Sequence, residues 1–209
     1  MTAPIVPSDS RARLLEAARA LFARNGYEGT SVRAITGRAK ANLGAVTYHF
    51  GSKEALYHAV IEQFIVPVAD RLSAISASEA PALARLEAVL RELLTQTAAH
   101  PEMPALMIRE MASERPVPPP MARNVRRNAE SIGRIIADGQ REGTIRPGLP
   151  QFLALAVAAQ PLFLALAGRA IQQALGADPA NPAIRARLDE QVVETVLAGL
   201  AIPTAERPA

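Results

Sequence analysis

Three side chains in the first sixty positions could bind an anionic polymer: those of Arg33, Tyr48 and Lys53. Arg33 lies near the start of a short helical segment, from which a guanidinium can reach a base edge or a phosphate. The Tyr48 hydroxyl can reach a phosphate, and Lys53 begins a helix whose free N–H groups favour the same anion. The alternative for Tyr48 is a packing role. These three residues therefore indicate nucleic-acid binding only if the fold places their side chains on one surface.

The sequence contains little that could support catalysis or bind a metal. Cysteine is absent, which excludes a disulfide scaffold, a cysteine zinc site and thiol catalysis. His49 and His58 are nine positions apart, which is not a metal-ligand spacing on a helix. No paired acidic motif or glycine-rich phosphate loop is present. We therefore predict no metal and no cofactor, and a helical enzyme is a minor alternative.

The charge is unevenly distributed along the 209 residues. The formal net charge is +3, but residues 1–60 carry eight Lys/Arg against four Asp/Glu, and the remainder is nearly balanced. A basic N-terminal part suggests an anionic partner there. Alanine and leucine dominate and aromatic residues make up only 4%, which favours an all-α fold.

Apolar residues recur with a helical period along almost the whole chain. We predict helices at about 10–25, 42–50, 53–75, 82–98, 149–175 and 182–200. We also predict a short helix between Gly29 and Ala39, a short helix that ends near Ser113 and a helix that ends at Glu142. The stretch from Leu153 to Gly168 is apolar but interrupted by Gln160 and Pro161, so we interpret it as a buried or interface helix rather than a membrane span. Pro161 should kink that helix. We expect a cytoplasmic protein without a membrane partner.

Two short helices within residues 31–50, joined by a tight turn, fit a helix-turn-helix arrangement. If Phe50 faces inward, a rotation of about 100° per residue places Val46 beside it. Gly44, Ala45 and Tyr48 then face outward. Small outward residues let a helix lie deep in a major groove. We therefore predict that residues 8–68 form a nucleic-acid-binding domain, called the reading head below. Residues 69–202 should form a helical domain and residues 203–209 a tail.

Three ordered pieces of residues 10–65 resemble the DNA-binding domain of the TetR family of bacterial transcriptional repressors. They are the Leu14–Phe22 segment, the Asn25–Val32 segment and the run Thr47–Tyr57. The resemblance implies a homodimeric helical repressor with an N-terminal helix-turn-helix head and a C-terminal bundle for ligand binding and dimerisation. Its partners would be double-stranded DNA with a palindromic operator, a second copy of the chain and a small apolar or amphipathic effector. The DNA-contacting positions we carry over or predict are Ser31, Arg33, Asn42, Leu43, Gly44, Ala45, Thr47, Tyr48, His49 and Lys53.

Two positions depart from the family pattern. The family often has glycine in the turn where this chain has Lys40, and lysine costs about 1 kcal/mol there if φ is positive. Either the turn differs or Lys40 has gained a phosphate contact. Leu43 stands where many relatives are polar, so a base contact there is in doubt. Further along, Met107–Met111 and Glu142–Pro147 resemble the subgroup named for CecR.

The resemblance also implies an apolar effector cavity and a dimer interface in the C-terminal part. We predict that the cavity is lined by Phe64, Met103, Met107, Met111, Phe152, Gln160 and Phe163, although each alone could be an ordinary core residue. The predicted interface consists of Leu153, Val157, Leu164, Val193, Val196, Leu197 and Leu200. A ligand would shift the spacing of the two heads away from successive major grooves. The alternative is a DNA-binding regulator, repressor or activator, that responds to a partner protein rather than a small molecule.

Overall fold

The computed structural model describes residues 7–203, with side chains from Ser10 onward. The predicted all-α class is confirmed: within 7–203 the extended structure amounts to an isolated antiparallel bridge between Ile145 and Ala201. The helices are α1 (Pro7–Asn25), α2 (Val32–Arg38), α3 (Ala45–Phe50), α4 (Lys53–Ser76), α5 (Ala82–Ala99), α6 (Glu102–Met111), α7 (Pro119–Arg141), α8 (Pro150–Leu175) and α9 (Pro182–Leu200). Residues 204–209 of the predicted tail lie outside the described residues.

The described residues form two compact units. The N-terminal unit comprises residues 7–66 together with 105–122, and the C-terminal unit comprises 67–104 and 123–203. Residues 105–122 join the first unit because their side chains pack there: the Arg115 guanidinium carbon lies 4.1 Å from the centre of the Tyr27 ring. Sequence order alone could not predict this association.

The N-terminal unit is built on α1, which contacts both α2 and α3. Leu14, Ala18 and Phe22 are buried along one face of α1. The Phe22 and Tyr57 rings meet edge to face with centroids 4.8 Å apart, and the Tyr27 ring lies 5.0 Å from that of Tyr57. This aromatic cluster ties the end of α1 to the start of α4, and so supports the short helices between them.

The C-terminal unit is centred on α5, which packs against α8 and α9. Its buried core includes Val68, Leu72, Leu86, Leu90, Leu94, Ile132, Ile136, Ala154, Val157, Leu164, Val193 and Leu200. Arg85 of α5 is buried and donates to the Ser76 carbonyl and to Asp138 of α7, both at 2.9 Å. This pairing joins the end of α4, α5 and α7 by charge as well as by apolar contact.

The residues predicted for the dimer interface differ in burial within the chain. Val157 and Leu164 of α8, and Val193 and Leu200 of α9, are buried in the core of their own chain. Leu153, Val196 and Leu197 pack partly buried against the same core. The last three therefore keep accessible surface for a partner. Because α8 is apolar on all sides, its sequence does not show which face turns inward.

The residues predicted to line the effector cavity differ in exposure. Phe152 and Phe163 are 69% and 68% exposed, and Gln160 is also exposed. Met111 of α6 is likewise on the surface. Of the other predicted lining residues, Met103 is buried, while Phe64 and Met107 are half-buried. Pro161 is buried inside an α8 that runs uninterrupted from Pro150 to Leu175. Its 26 residues are long and apolar enough to cross a membrane by length and composition alone, a weak signal that core helices share.

Candidate nucleic-acid interface

The first helix of the predicted motif begins with a side-chain cap. The Ser31 hydroxyl oxygen accepts a hydrogen bond of 3.1 Å from the Ala34 amide, and Ser31 has extended backbone. This satisfies one of the free N–H groups at the start of α2. Ile35 and Thr36 are buried, whereas Arg33 is exposed. Arg33 is therefore available to a ligand, whereas the Ser31 hydroxyl already has a structural role.

The turn after α2 keeps the left-handed geometry that glycine would adopt without strain. Lys40 has φ of 50°. The Lys40 amide donates to the Gly37 carbonyl at 3.3 Å, and the Ala41 amide donates to the Thr36 carbonyl at 2.9 Å. These two bonds form a Schellman motif, with lysine at the left-handed position. The departure from the family pattern therefore changes the residue and not the turn, and it leaves an exposed cation beside the motif.

The second helix of the motif, α3, has the predicted orientation. Val46 is 1% exposed, whereas Tyr48 is 83% exposed. Gly44 is exposed, Ala45 is half-buried, and Phe50 is half-buried beneath the Arg11 guanidinium. The helix begins at Ala45 rather than Asn42, because Asn42 to Gly44 form a turn in which the Ala45 amide donates to the Asn42 carbonyl.

The remaining predicted contacts lie around this helix. Leu43 is 57% exposed, and Asn42 and Thr47 are exposed as well. His49 is half-buried, with its ring centroid 4.8 Å from that of Tyr48. The fold therefore gathers amide, hydroxyl, phenol and methyl groups on one side of the motif, and these are the groups that contact phosphates and base edges.

The entry to α4 places Lys53 next to an aromatic ring. Gly51 ends α3 with φ of 83°, a conformation that glycine adopts without the clash a Cβ would make. The Ser52 hydroxyl then accepts from the Ala55 amide at 3.0 Å and so caps α4, as predicted. The Lys53 ammonium nitrogen lies 4.1 Å from the centre of the Tyr27 ring. Lys53 is half-buried and held by this ring rather than extended into solvent.

Sequence reasoning missed Tyr27, Arg11 and Arg115 as neighbours of the candidate contacts. Arg11 lies 39 positions before Phe50 in the sequence, yet its guanidinium carbon is 5.0 Å from the centre of the Phe50 ring. Arg115 lies in the connection between α6 and α7, and no local pattern links it to Tyr27. The excess of basic residues in the N-terminal part was the one sequence signal for these neighbours. Of the three residues, it applied to Arg11 alone. Within the described residues, no group of three or more His, Asp or Glu is placed to hold a metal ion.

Two family models match the chain and together span both units. Residues 14–60 match the model for bacterial regulatory proteins of the tetR family. Residues 82–196, more than half of the chain, match a tetracyclin repressor-like C-terminal domain. The first match covers the whole candidate interface, including α2, the turn and α3.

Curated relatives agree with the family models. The chain is 31% identical over 145 residues to the HTH-type transcriptional repressor SCO4008 of Streptomyces coelicolor, covering 69% of this chain and 71% of that protein. It is 39% identical over 67 residues to the HTH-type transcriptional repressor AcnR of Corynebacterium glutamicum, covering 32% of this chain. That match spans only 36% of the length of AcnR, and so is confined to a part of each protein.

Solved structures show the same fold at low sequence identity. A regulatory protein in the tetR family from Rhodococcus RHA1 superposes with a TM-score of 0.76 at 21% identity, over 93% of this chain and 98% of that one. The ketosteroid transcriptional regulator KstR2 of Mycobacterium tuberculosis gives 0.72 at 24% identity, over 92% and 95%. With family models over both units and a relative that is 31% identical over more than two thirds of each chain, the chain belongs to the TetR family of bacterial regulatory proteins.

Proposed function

We propose that this protein is a sequence-specific DNA-binding transcriptional repressor that acts as a homodimer. The observation that carries the proposal is the orientation of α3, in which Tyr48 is exposed and Val46 is buried, with the small residues Gly44 and Ala45 at the start of the helix. Small residues permit close approach to the groove floor, and Tyr48 then reaches the backbone. Membership of a family of DNA-binding regulators supports the same function and weighs against the enzymatic alternative.

The outward face of α8 supports a second copy of the chain as a partner. Phe152, Leu155, Phe163 and Leu166 are exposed along a single helix. Contiguous apolar surface of this kind marks protein interfaces. A dimer with two heads would read two half-sites about 34–36 Å apart, so the operator would be palindromic. The predicted interface residues Leu153, Val196 and Leu197 are partly exposed and could extend this surface.

A small apolar or amphipathic effector would release the repressor from its operator. Helix α4 runs from Lys53, in the N-terminal unit, to Ser76, in the C-terminal unit, so it links the DNA end to the effector domain. A ligand that favours one spacing of the heads shifts the population between binding and non-binding states. A tenfold loss of operator affinity needs only about 1.4 kcal/mol of coupling. Control by a partner protein is the alternative, and in either case we place the protein in the cytoplasm.

Fluorescence anisotropy with DNA from the gene's own upstream region tests the DNA-binding part. We expect nanomolar, sequence-preferring binding that weakens steeply with salt, as phosphate contacts require. Tyr48→Ala should weaken binding, and Leu175→Ala, at another exposed apolar residue in the other unit, should not. If the wild type shows no preference over random DNA, after selection from a genomic library as well as on the upstream region, the proposal is wrong.

The effector is tested separately. A thermal-shift screen of apolar and cationic amphipathic compounds, repeated in the anisotropy assay, should give ligands that both stabilise the protein and lower operator affinity. A ligand that stabilises the protein while leaving operator affinity unchanged would refute effector release and favour the partner-controlled alternative.

A further inference from the structure

Tyr27 lies between two cations that come from distant parts of the sequence. The Lys53 ammonium nitrogen and the Arg115 guanidinium carbon each lie 4.1 Å from the centre of its ring. The ring itself is held from within by Phe22 and Tyr57, with centroids 6.1 and 5.0 Å away. All five residues belong to the N-terminal unit. A ring supported on its inner side in this way has little freedom to move, so it can fix what packs against it.

We infer that Tyr27 is a positioning residue for Lys53, and that Arg115 holds Tyr27 in place, so that the backbone contact of the DNA-reading head depends on the segment after α6. The inference rests on the proposed function, because it takes Lys53 to bind a phosphate. It gives Tyr27 and Arg115 a role in DNA binding that the sequence pattern did not assign to either residue.

The chemistry of the ammonium group allows it to bind a ring and a phosphate together. Lysine has a flexible stem with three N–H donors, and its rotamer freedom is lost when it binds. The negative face of Tyr27 attracts the cation and restricts it before DNA arrives. The remaining donors stay free for a phosphate at the start of α4, where the helix N–H groups also favour an anion. Tyr27 therefore reduces the entropy that Lys53 loses on binding.

Arg115, which lies 88 positions after Tyr27 in the sequence, helps to hold the Tyr27 ring in place. It forms an ion pair with Glu28 at 3.4 Å, directly next to Tyr27. The planar guanidinium can stack on an aromatic ring and keep its hydrogen bonds at the same time. Glu28 also offsets the second positive charge near Lys53. A phenol has an ordinary pKa of about 10 and is neutral at physiological pH, and burial, followed by the charge of Glu54, raises the pKa of Tyr27 further.

A double-mutant cycle on the full chain tests the inference. Operator affinity is measured by anisotropy, over a salt series, for the wild type, Lys53→Ala, Tyr27→Leu and the double variant, with a parallel cycle for Arg115→Gln. We expect Lys53→Ala to lower the slope of log affinity against log salt by about one. Tyr27→Leu and Arg115→Gln should each lower affinity by about two- to fivefold, with sequence preference unchanged. Neither Tyr27→Leu nor Arg115→Gln should lower operator affinity further in the Lys53→Ala background.

Two control variants separate positioning from folding and from charge. Tyr27→Phe keeps the ring face, so it should retain wild-type affinity. Arg126→Gln removes an arginine that pairs with Glu130 in the other unit, and it should have no effect on the cycle. If Tyr27→Leu does not fold, the Arg115→Gln cycle gives the result alone, because Arg115 is half-exposed at its site.

The results distinguish this inference from the proposed function. Equal losses in the wild-type and Lys53→Ala backgrounds would refute the positioning role while leaving DNA binding intact. So would a Tyr27→Phe variant as weak as Tyr27→Leu, or a Lys53→Ala variant with an unchanged salt slope. A wild type that does not distinguish operator from random DNA would refute both.

Discussion

The Nε atom of Arg13 donates a hydrogen bond of 3.1 Å to the carbonyl oxygen of Ala39, the residue immediately before the left-handed Lys40. Arg13 belongs to α1 and Ala39 ends α2, so the bond ties the first helix to the turn of the helix-turn-helix motif. Ala39 is buried, and its backbone position determines how the chain enters the turn before α3. A residue outside the motif, Arg13, therefore helps to fix the orientation of the motif.

Loss of this bond should destabilise the protein modestly. We expect Arg13→Met, which keeps a long apolar stem, to lower the free energy of unfolding by about 1 kcal/mol, since it removes a donor from a partly buried carbonyl. Urea unfolding measures the change. The matched control is Arg24→Met on the same helix, at an exposed position. An equal loss in both variants would show that the bond contributes nothing specific.

The left-handed Lys40 predicts a stabilising substitution. Asparagine tolerates positive φ better than other side chains with a Cβ. We expect Lys40→Asn to be more stable than Lys40→Gln by up to about 1 kcal/mol, because both remove the charge but only asparagine relieves the strain. Thermal unfolding compares the two. Their operator affinities should fall together if Lys40 contacts a phosphate. Equal stability of the two variants would contradict the strain argument.

The ion pair between Arg85 and Asp138 makes the stability of the C-terminal unit sensitive to the replacement of one carboxylate oxygen of Asp138 by nitrogen. Asp138→Asn removes the negative partner of a buried guanidinium and leaves that charge uncompensated. We expect a loss of about 3 kcal/mol in the free energy of unfolding, since breaking a buried pair costs more than the pair is worth. Glu79→Gln, at an exposed position before α5, should change stability little. A loss below about 1 kcal/mol would place this pair among weak surface interactions.

Tyr57 should make stability fall at alkaline pH. Burial, followed by the nearby Glu110 carboxylate, raises the pKa of this phenol above its ordinary value of 10.0. Above about pH 10 the unfolded chain loses the proton and the folded chain retains it, so stability is full below that pH and falls as pH rises. The slope from this group is at most about 1.4 kcal/mol per pH unit. Urea unfolding of the wild type and Tyr57→Phe between pH 8 and 11 should show a shallower decline in the variant.

The exposed face of α8 predicts the oligomeric state. We expect Phe163→Glu to shift the protein from dimer to monomer, because a carboxylate at the centre of an apolar interface loses hydration without gaining a partner. Sedimentation velocity over a range of concentrations measures this. Met111→Glu, at an exposed apolar residue of the N-terminal unit, should leave the dimer intact. A Phe163→Glu protein that remains dimeric at low micromolar concentration would rule out this face as the interface.

Local signals predicted the helices, their caps and the orientation of α3. Ser52 caps α4 and Gly51 ends α3, because both effects depend on a few neighbouring backbone groups. The orientation of α3 followed from its period, since Val46 and Tyr48 differ in polarity enough to distinguish the faces. A cap, a turn and an amphipathic period each act within about one helical turn, which is why the sequence alone contains them.

The tertiary structure decided what local patterns leave undetermined. Helix α8 is apolar on every side, so only packing against α5 showed that Val157 turns inward and Phe163 outward. The placement of Arg115 against Tyr27, 88 positions away, likewise depends on the path of the chain. The sequence by itself therefore determined the family, the helices and the reading head. Long-range packing decided which apolar faces are buried and which distant charges meet, because those contacts depend on the whole fold and not on neighbours in the chain.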